Sequence, residues 1–270
     1  MGLNRPNQPL ALPEVDQRIV NAVAPHIDAQ RFVTQIVAER QKVARPTPQI
    51  ENALRRQAIG VVQILRAMDL SLSLRALIQF GLSQFGDKTA DRKDDLTDAI
   101  YGFFESRIDG ILADHGFAKD SVAAITAVSV DQIPDAWRRV EALDRIRAEA
   151  DFGPLAVAFK RTVNILKKSD QDVGRKTDLP LDEGLFENPC EGALLQAYKE
   201  VKEKVAATVQ DGDYEAALRQ IATLKAPVDD FFEGVMVMAD DDAVRTNRLA
   251  LLDRLAGLFT NIADFSKITT

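Results

Sequence analysis

Cysteine is almost missing from this chain: Cys190 is the only one in 270 residues, so no intramolecular disulfide can form and a reducing, cytoplasmic compartment is expected. Histidine is equally scarce. His26 and His115 fit neither an H-E-x-x-H nor a C-x-x-C spacing, so no metal site is expected, and a Ser-His-Asp or Cys-His arrangement has only two ordinary histidines to build on. In Asp114-His115-Gly116 the histidine reads as a helix C-terminal cap, and His26 after Pro25 reads as exposed. A phosphate cradle is lacking as well, because Gly86-Asp87-Lys88-Thr89 and Gly174-Arg175-Lys176-Thr177 have no upstream P-loop glycine and read as surface turns. Apolar runs fall short of the ~20 residues that span a bilayer, and Met1–Leu12 has no apolar core of a signal peptide, so no membrane partner is expected.

Excess positive charge is the next absence. Lys plus Arg number 34 against 41 Asp plus Glu, a net −7, so no global field draws the chain to nucleic acid, no DNA partner is expected, and any RNA contact must be a local patch. Trp137, Tyr101, Tyr198 and Tyr214 are too isolated for a base-stacking platform and read as packing residues. The paired carboxylates Asp94/Asp95 and Asp229/Asp230 abut lysines or helix starts, which singles out no general acid and base. No catalytic residue emerges.

What the chain does have is helical periodicity. With few glycines (14) and apolar residues recurring at helix spacing, the expected fold is all-α. Helices are predicted near 14–43, 48–68, 71–85, 91–115, 119–129, 134–149, 152–169, 190–210, 213–225, 227–239 and 241–264. Asp213, Asp241 and Asp242 suit N-terminal positions, and Pro134 and Pro227 suit first turns. Residues 169–190 read as a linker or long loop, and the prolines at 44–49 as a weaker break. Two helical modules are expected, 1–150 and 151–270.

The densest local chemistry lies at 155–176. On a helical wheel Leu155, Phe159, Val163 and Leu166 share one arc, while Lys160, Arg161, Asn164, Lys167 and Lys168 take the other. With Arg175 and Lys176 the stretch holds six basic side chains against Asp170 and Asp172. Such a face can track phosphates, with Asn164 adding a hydrogen bond, although a solvated helix face would look the same. Arg55, Arg56 and Arg66 form a thinner cluster that suits ion pairing with a partner helix or within the domain. Arg245, Arg248 and Arg254 follow Asp240–Asp242, with which they are expected to pair, Asn247 facing solvent; Phe231, Phe232, Val235, Met236 and Met238 read as core.

The C-terminal third goes further. Ala226-Pro-Val-Asp-Asp-Phe-Phe-Glu, Val235-Met-Val-Met-Ala, Arg245-x-Asn-Arg-Leu-Ala-Leu-Leu252 and Ile262-Ala-Asp-Phe-Ser266 closely resemble the end of the β subunit of the bacterial tetrameric glycyl-tRNA synthetase. Upstream, Ala158-Phe-Lys-Arg-Thr-Val-Asn-Ile-Leu-Lys-Lys168 and Ala53-Leu-Arg-Arg-Gln-Ala-Ile-Gly60 look like two further helices of that family. The resemblance implies a tRNA-binding chain for glycine tRNA, ending in a helical anticodon-binding domain of the type shared with arginyl-tRNA synthetase. It implies that glycine and ATP chemistry, with magnesium, resides in the partner α subunit, so this chain itself carries no cofactor. Family β subunits are much longer, residues 1–48 match no segment of the family, and the upstream His-Asp phosphohydrolase signature is absent, so no hydrolase activity is implied. The alternative is a helical scaffold that docks a protein partner such as the α subunit with little RNA contact; an exposed apolar patch on 48–85 would favour it.

Overall fold

The computed structural model describes residues 48–84, 91–149, 152–173 and 181–269. The predicted helix 14–43, His26, the break at 44–47 and the two glycine turns at 86–89 and 174–177 lie outside them. All regular structure among the described residues is helical, as expected, with no strand.

Two compact units emerge among the described residues, one of those from 48 to 116 with 129–137, the other of 117–128 with those from 138 to 269. In the first, α1 (Pro48–Ala67) and α2 (Leu74–Ser83) pack on α3 (Lys93–Asp114). Leu54, Ala58, Val61 and Leu65 of α1, and Ile100, Phe104, Ile108 and Leu112 of α3, repeat at three or four residues and are buried, which is why these segments are helical. Ser73 caps α2 by accepting from the Ala76 amide at 3.0 Å. His115 does cap α3: its Nδ1 donates to the Ile111 carbonyl at 2.8 Å, leaving Nε2 to accept from Arg66 at 3.0 Å. The Arg66 guanidinium lies 3.4 Å from the centre of the Trp137 ring. Trp137 and Tyr101 are buried, as are Tyr198 and Tyr214 in the second unit, so all four serve packing.

The second unit holds α4 (Lys119–Thr126), most of α5 (Ile133–Arg147), α6 (Phe152–Val173), α7 (Pro189–Gln210), α8 (Tyr214–Ala222), α9 (Lys225–Gly234) and α10 (Asp242–Gly257), with short 3-10 turns at Glu183–Leu185 and Phe265–Lys267. Its core is aromatic where α6 meets the C-terminus. Phe159 stacks on Phe259 at 4.2 Å, and Phe265 meets both rings edge-on at 5.5 and 5.1 Å. Asp213 and Asp241 cap α8 and α10 as expected.

Several helix ends differ from the periodic reading. α9 stops at Gly234, not 239, because Val235 is extended and the next residues alternate: Val235 and Val237 point inward, Met236 and Met238 outward. The two methionines are therefore exposed, at 75% and 46%, rather than core. α10 ends at Gly257, since the chain must turn to bring Phe265 into the aromatic cluster. α6 runs on to Val173, into the expected linker.

Candidate nucleic-acid interface

The amphipathic wheel of α6 is realised in three dimensions. Leu155, Phe159 and Thr162 are buried against the unit, which fixes the helix's rotation and turns the opposite arc outward. On that arc Arg161, Asn164, Lys167 and Lys168 are exposed and Lys160 is half-buried. Val157, 52% exposed, lies among them. Arg175 and Lys176 fall outside the described residues.

Among the described side chains none of the four cations of α6 meets a carboxylate, and the contacts of Lys160, Arg161 and Lys167 are with neutral groups. Lys160 Nζ donates to the Ile268 carbonyl at 3.4 Å, and Lys167 Nζ to Ser266 Oγ at 3.3 Å. The Arg161 guanidinium rests over the Phe232 ring at 4.2 Å. Other basic residues of the unit are spent differently. Arg145 pairs with Glu215, Arg147 with Asp120, Arg219 with Glu149 and Glu215, and Arg245 with Asp242. Positive charge is neutralised on those surfaces and left open on α6.

Sequence reasoning missed the C-terminal segment as the neighbour of this face. After Phe265 the chain runs alongside α6, and its end is tied down where Asp120 accepts from the Thr269 amide at 2.8 Å and from its hydroxyl. The same carboxylate binds Arg147, and this bond chiefly, with the Thr269 bonds added, holds Asp120 well below the usual carboxylate range. No local signal in the sequence announces these contacts.

Arg248 and Asn247 correct the expected pairing. Arg248 does not reach the aspartates at 240–242; Nε bonds Glu191 at 2.6 Å, Nη2 bonds Glu187 at 2.8 Å, and Nη1 bonds the Met236 carbonyl at 3.0 Å. Glu191 is fully buried, so a guanidinium must come to it. Asn247 is buried rather than solvent-facing, and its amide bonds both the backbone N–H and the carbonyl of Asp182. Arg245 does pair with Asp242 and also donates to the Ala239 carbonyl at 2.7 Å, so the two arginines together clamp the 235–241 loop. Among the described residues no group of three or more His, Cys, Asp or Glu could hold a metal ion, and no helix is long and apolar enough to cross a membrane.

Comparison with known proteins divides along the chain. Residues 155–270, which include the whole cationic stretch from Lys160 on, match the family described as DALR anticodon binding domain. Residues 48–127 match the family described as glycyl-tRNA synthetase beta subunit. Among curated relatives, the chain is 46% identical over 216 residues to the glycine–tRNA ligase beta subunit of Desulforapulum autotrophicum, covering 80% of this chain and 31% of that protein. It is 45% identical over 217 residues to the beta subunit of Geotalea uraniireducens and 40% over 216 to that of Geobacter metallireducens, each match covering 80% of this chain and 30% of the relative. The chain thus spans about a third of the length of the relatives it matches.

Proposed function

The chain belongs to the glycyl-tRNA synthetase β-subunit family as a C-terminal portion of that subunit, and from this premise we propose that it is a cytoplasmic tRNA-binding module for glycine tRNA, gripping the RNA with the outward face of α6. The observation that carries the reading is a chain of net charge −7 whose α6 nonetheless keeps Lys160, Arg161, Lys167 and Lys168 free of carboxylates among the described residues, on a helix inside the anticodon-binding match. Lys160 and Lys167 stand two turns apart, about 10 Å along the axis, a spacing that follows a polynucleotide backbone rather than a single small anion. Arg175 and Lys176 extend the same basic stretch in sequence. The reading assigns glycine activation, with its ATP and magnesium, to the partner α subunit and no chemical step to this chain.

Fluorescence-anisotropy titrations with glycine tRNA, a non-cognate tRNA and duplex DNA at two salt concentrations test the proposal. Tightest and salt-sensitive binding to glycine tRNA is expected. Lys160→Ala with Lys167→Ala should weaken binding and lower the slope of log K against log salt by about 0.7 to 0.9 per lost phosphate contact. A double variant that binds like the parent at every salt concentration overturns the assignment of the face.

The competing scaffold reading asks for an exposed apolar patch on residues 48–85, where Met68 is the one large exposed apolar side chain among the described residues. Pull-down with the α subunit in the absence of tRNA separates the two, because a scaffold requires that contact.

A further inference from the structure

The cationic face does not end at α6. Lys160 and Lys167 are each held by one hydrogen bond, to the Ile268 carbonyl and to Ser266 Oγ, and the residue between those two partners is Lys267, which is exposed and meets no carboxylate among the described residues. Ser266 Oγ donates its own proton to Asp264 at 2.6 Å, so its lone pair is free to accept from Lys167. Buried Phe265 and Ile268 fix this short strap from within, and the Thr269–Asp120–Arg147 bonds close its end. An ammonium has three N–H groups; one used on the strap leaves two on each lysine directed away from it.

We propose that the C-terminal strap, residues 264–269, is a working part of the RNA-binding face: Lys267 supplies a further phosphate contact beside Lys160 and Lys167, and Ser266 is a positioning residue that pre-aims Lys167. The inference rests on the function proposed above and adds to it a segment about a hundred residues distant in the chain. Pre-aiming and charge have different signatures. Losing a phosphate contact lowers both affinity and salt slope, whereas losing the restraint on a lysine returns its rotamer freedom and lowers affinity without changing how many counterions are released.

The test is anisotropy titration of the whole chain with glycine tRNA across a salt series, for Lys267→Ala and Ser266→Ala, with thermal unfolding of each variant as a check on folding. Both side chains lie outside the core, so parent-like unfolding is expected. Lys267→Ala should lower the slope by about 0.7 to 0.9. Ser266→Ala should weaken binding roughly two- to tenfold at an unchanged slope. A parent slope for Lys267→Ala overturns the added contact, and parent affinity for Ser266→Ala overturns the positioning role. The Lys160→Ala, Lys167→Ala variant run alongside separates the two levels: a reduced slope there with parent behaviour at 266 and 267 discards the strap alone, while parent slopes throughout discard the cationic face itself.

Discussion

Replacing Arg248 by methionine should be among the most damaging single changes to the second unit, and the reason is the partner it abandons. The Glu191 side chain is completely buried and that of Arg248 nearly so, at 7% exposure. Once the guanidinium is gone, the carboxylate keeps, among the described residues, the Glu187 amide, 3.1 Å from its other oxygen. Breaking a buried pair in this way costs about 3 to 5 kcal/mol, because a charge is left without compensation. The second bond, to Glu187, adds little, since that side chain is 64% exposed and water replaces the contact. The lost bond to the Met236 carbonyl adds about 1 kcal/mol and frees the 235–241 loop. A total of about 5 kcal/mol lowers the midpoint of thermal unfolding by roughly 10 to 20 °C for a unit of this size. Urea unfolding followed by far-ultraviolet circular dichroism measures the loss. The control is the double variant Arg248→Met, Glu191→Met, which removes both charges and should recover more than half of it. A single variant within about 1 kcal/mol of the parent, or a double variant as unstable as the single, would refute the argument that burial of Glu191 sets the cost.

Two further changes probe other joints. Asp120→Asn should cost about 2 kcal/mol at neutral pH, and because the folded state depresses the Asp120 pKa, this stability is present above the unfolded value near 4 and declines as pH falls through it; denaturation at pH 7 and pH 3 should show the gap between parent and variant narrowing, and a constant gap would mean the ion pair is not its source. Arg66→Ala removes the guanidinium from the face of the single tryptophan and should shift Trp137 emission while costing about 1 kcal/mol; an unchanged spectrum would contradict the stacking.

Helix content was legible because its cause is local. Leu54, Ala58, Val61 and Leu65 mark one stripe within a single segment, and the same rule located α6 and turned its charged arc outward before any contact was known. The rule is harder to read on α10, where Asn247 and Arg248 share one buried face with Val244, Leu251, Leu252 and Leu255. Polar side chains at two positions of that face blur the apolar pattern, so Asn247 looked solvent-facing and Arg248 looked free to meet its sequence neighbours. The end of α9 failed for a related reason: carbonyls of the 235–241 loop are claimed by Arg245 and Arg248, and a helix cannot continue through residues whose acceptors and buried valines are committed elsewhere.

The candidate site divides along the same line. Lys160, Arg161, Asn164, Lys167 and Lys168 share a helix, so their common face follows from a repeat of 3.6 residues and needs nothing beyond the segment. Whether that face is merely solvated or poised for a ligand depends on what lies beside it, and the neighbours are Ser266, Ile268 and Phe232, contributed by chain far along the sequence. Carboxylates in their place would have neutralised the arc, as they do at Arg145 and Arg219. Neutral oxygens and an aromatic ring hold the cations without cancelling them, which lowers the entropy lost when a polyanion is bound. The distinction between a charged helix and a binding face is therefore made by tertiary packing, through the Phe159, Phe259 and Phe265 cluster that brings the C-terminus against α6. Loosening that cluster should thus weaken RNA binding even with every cation intact.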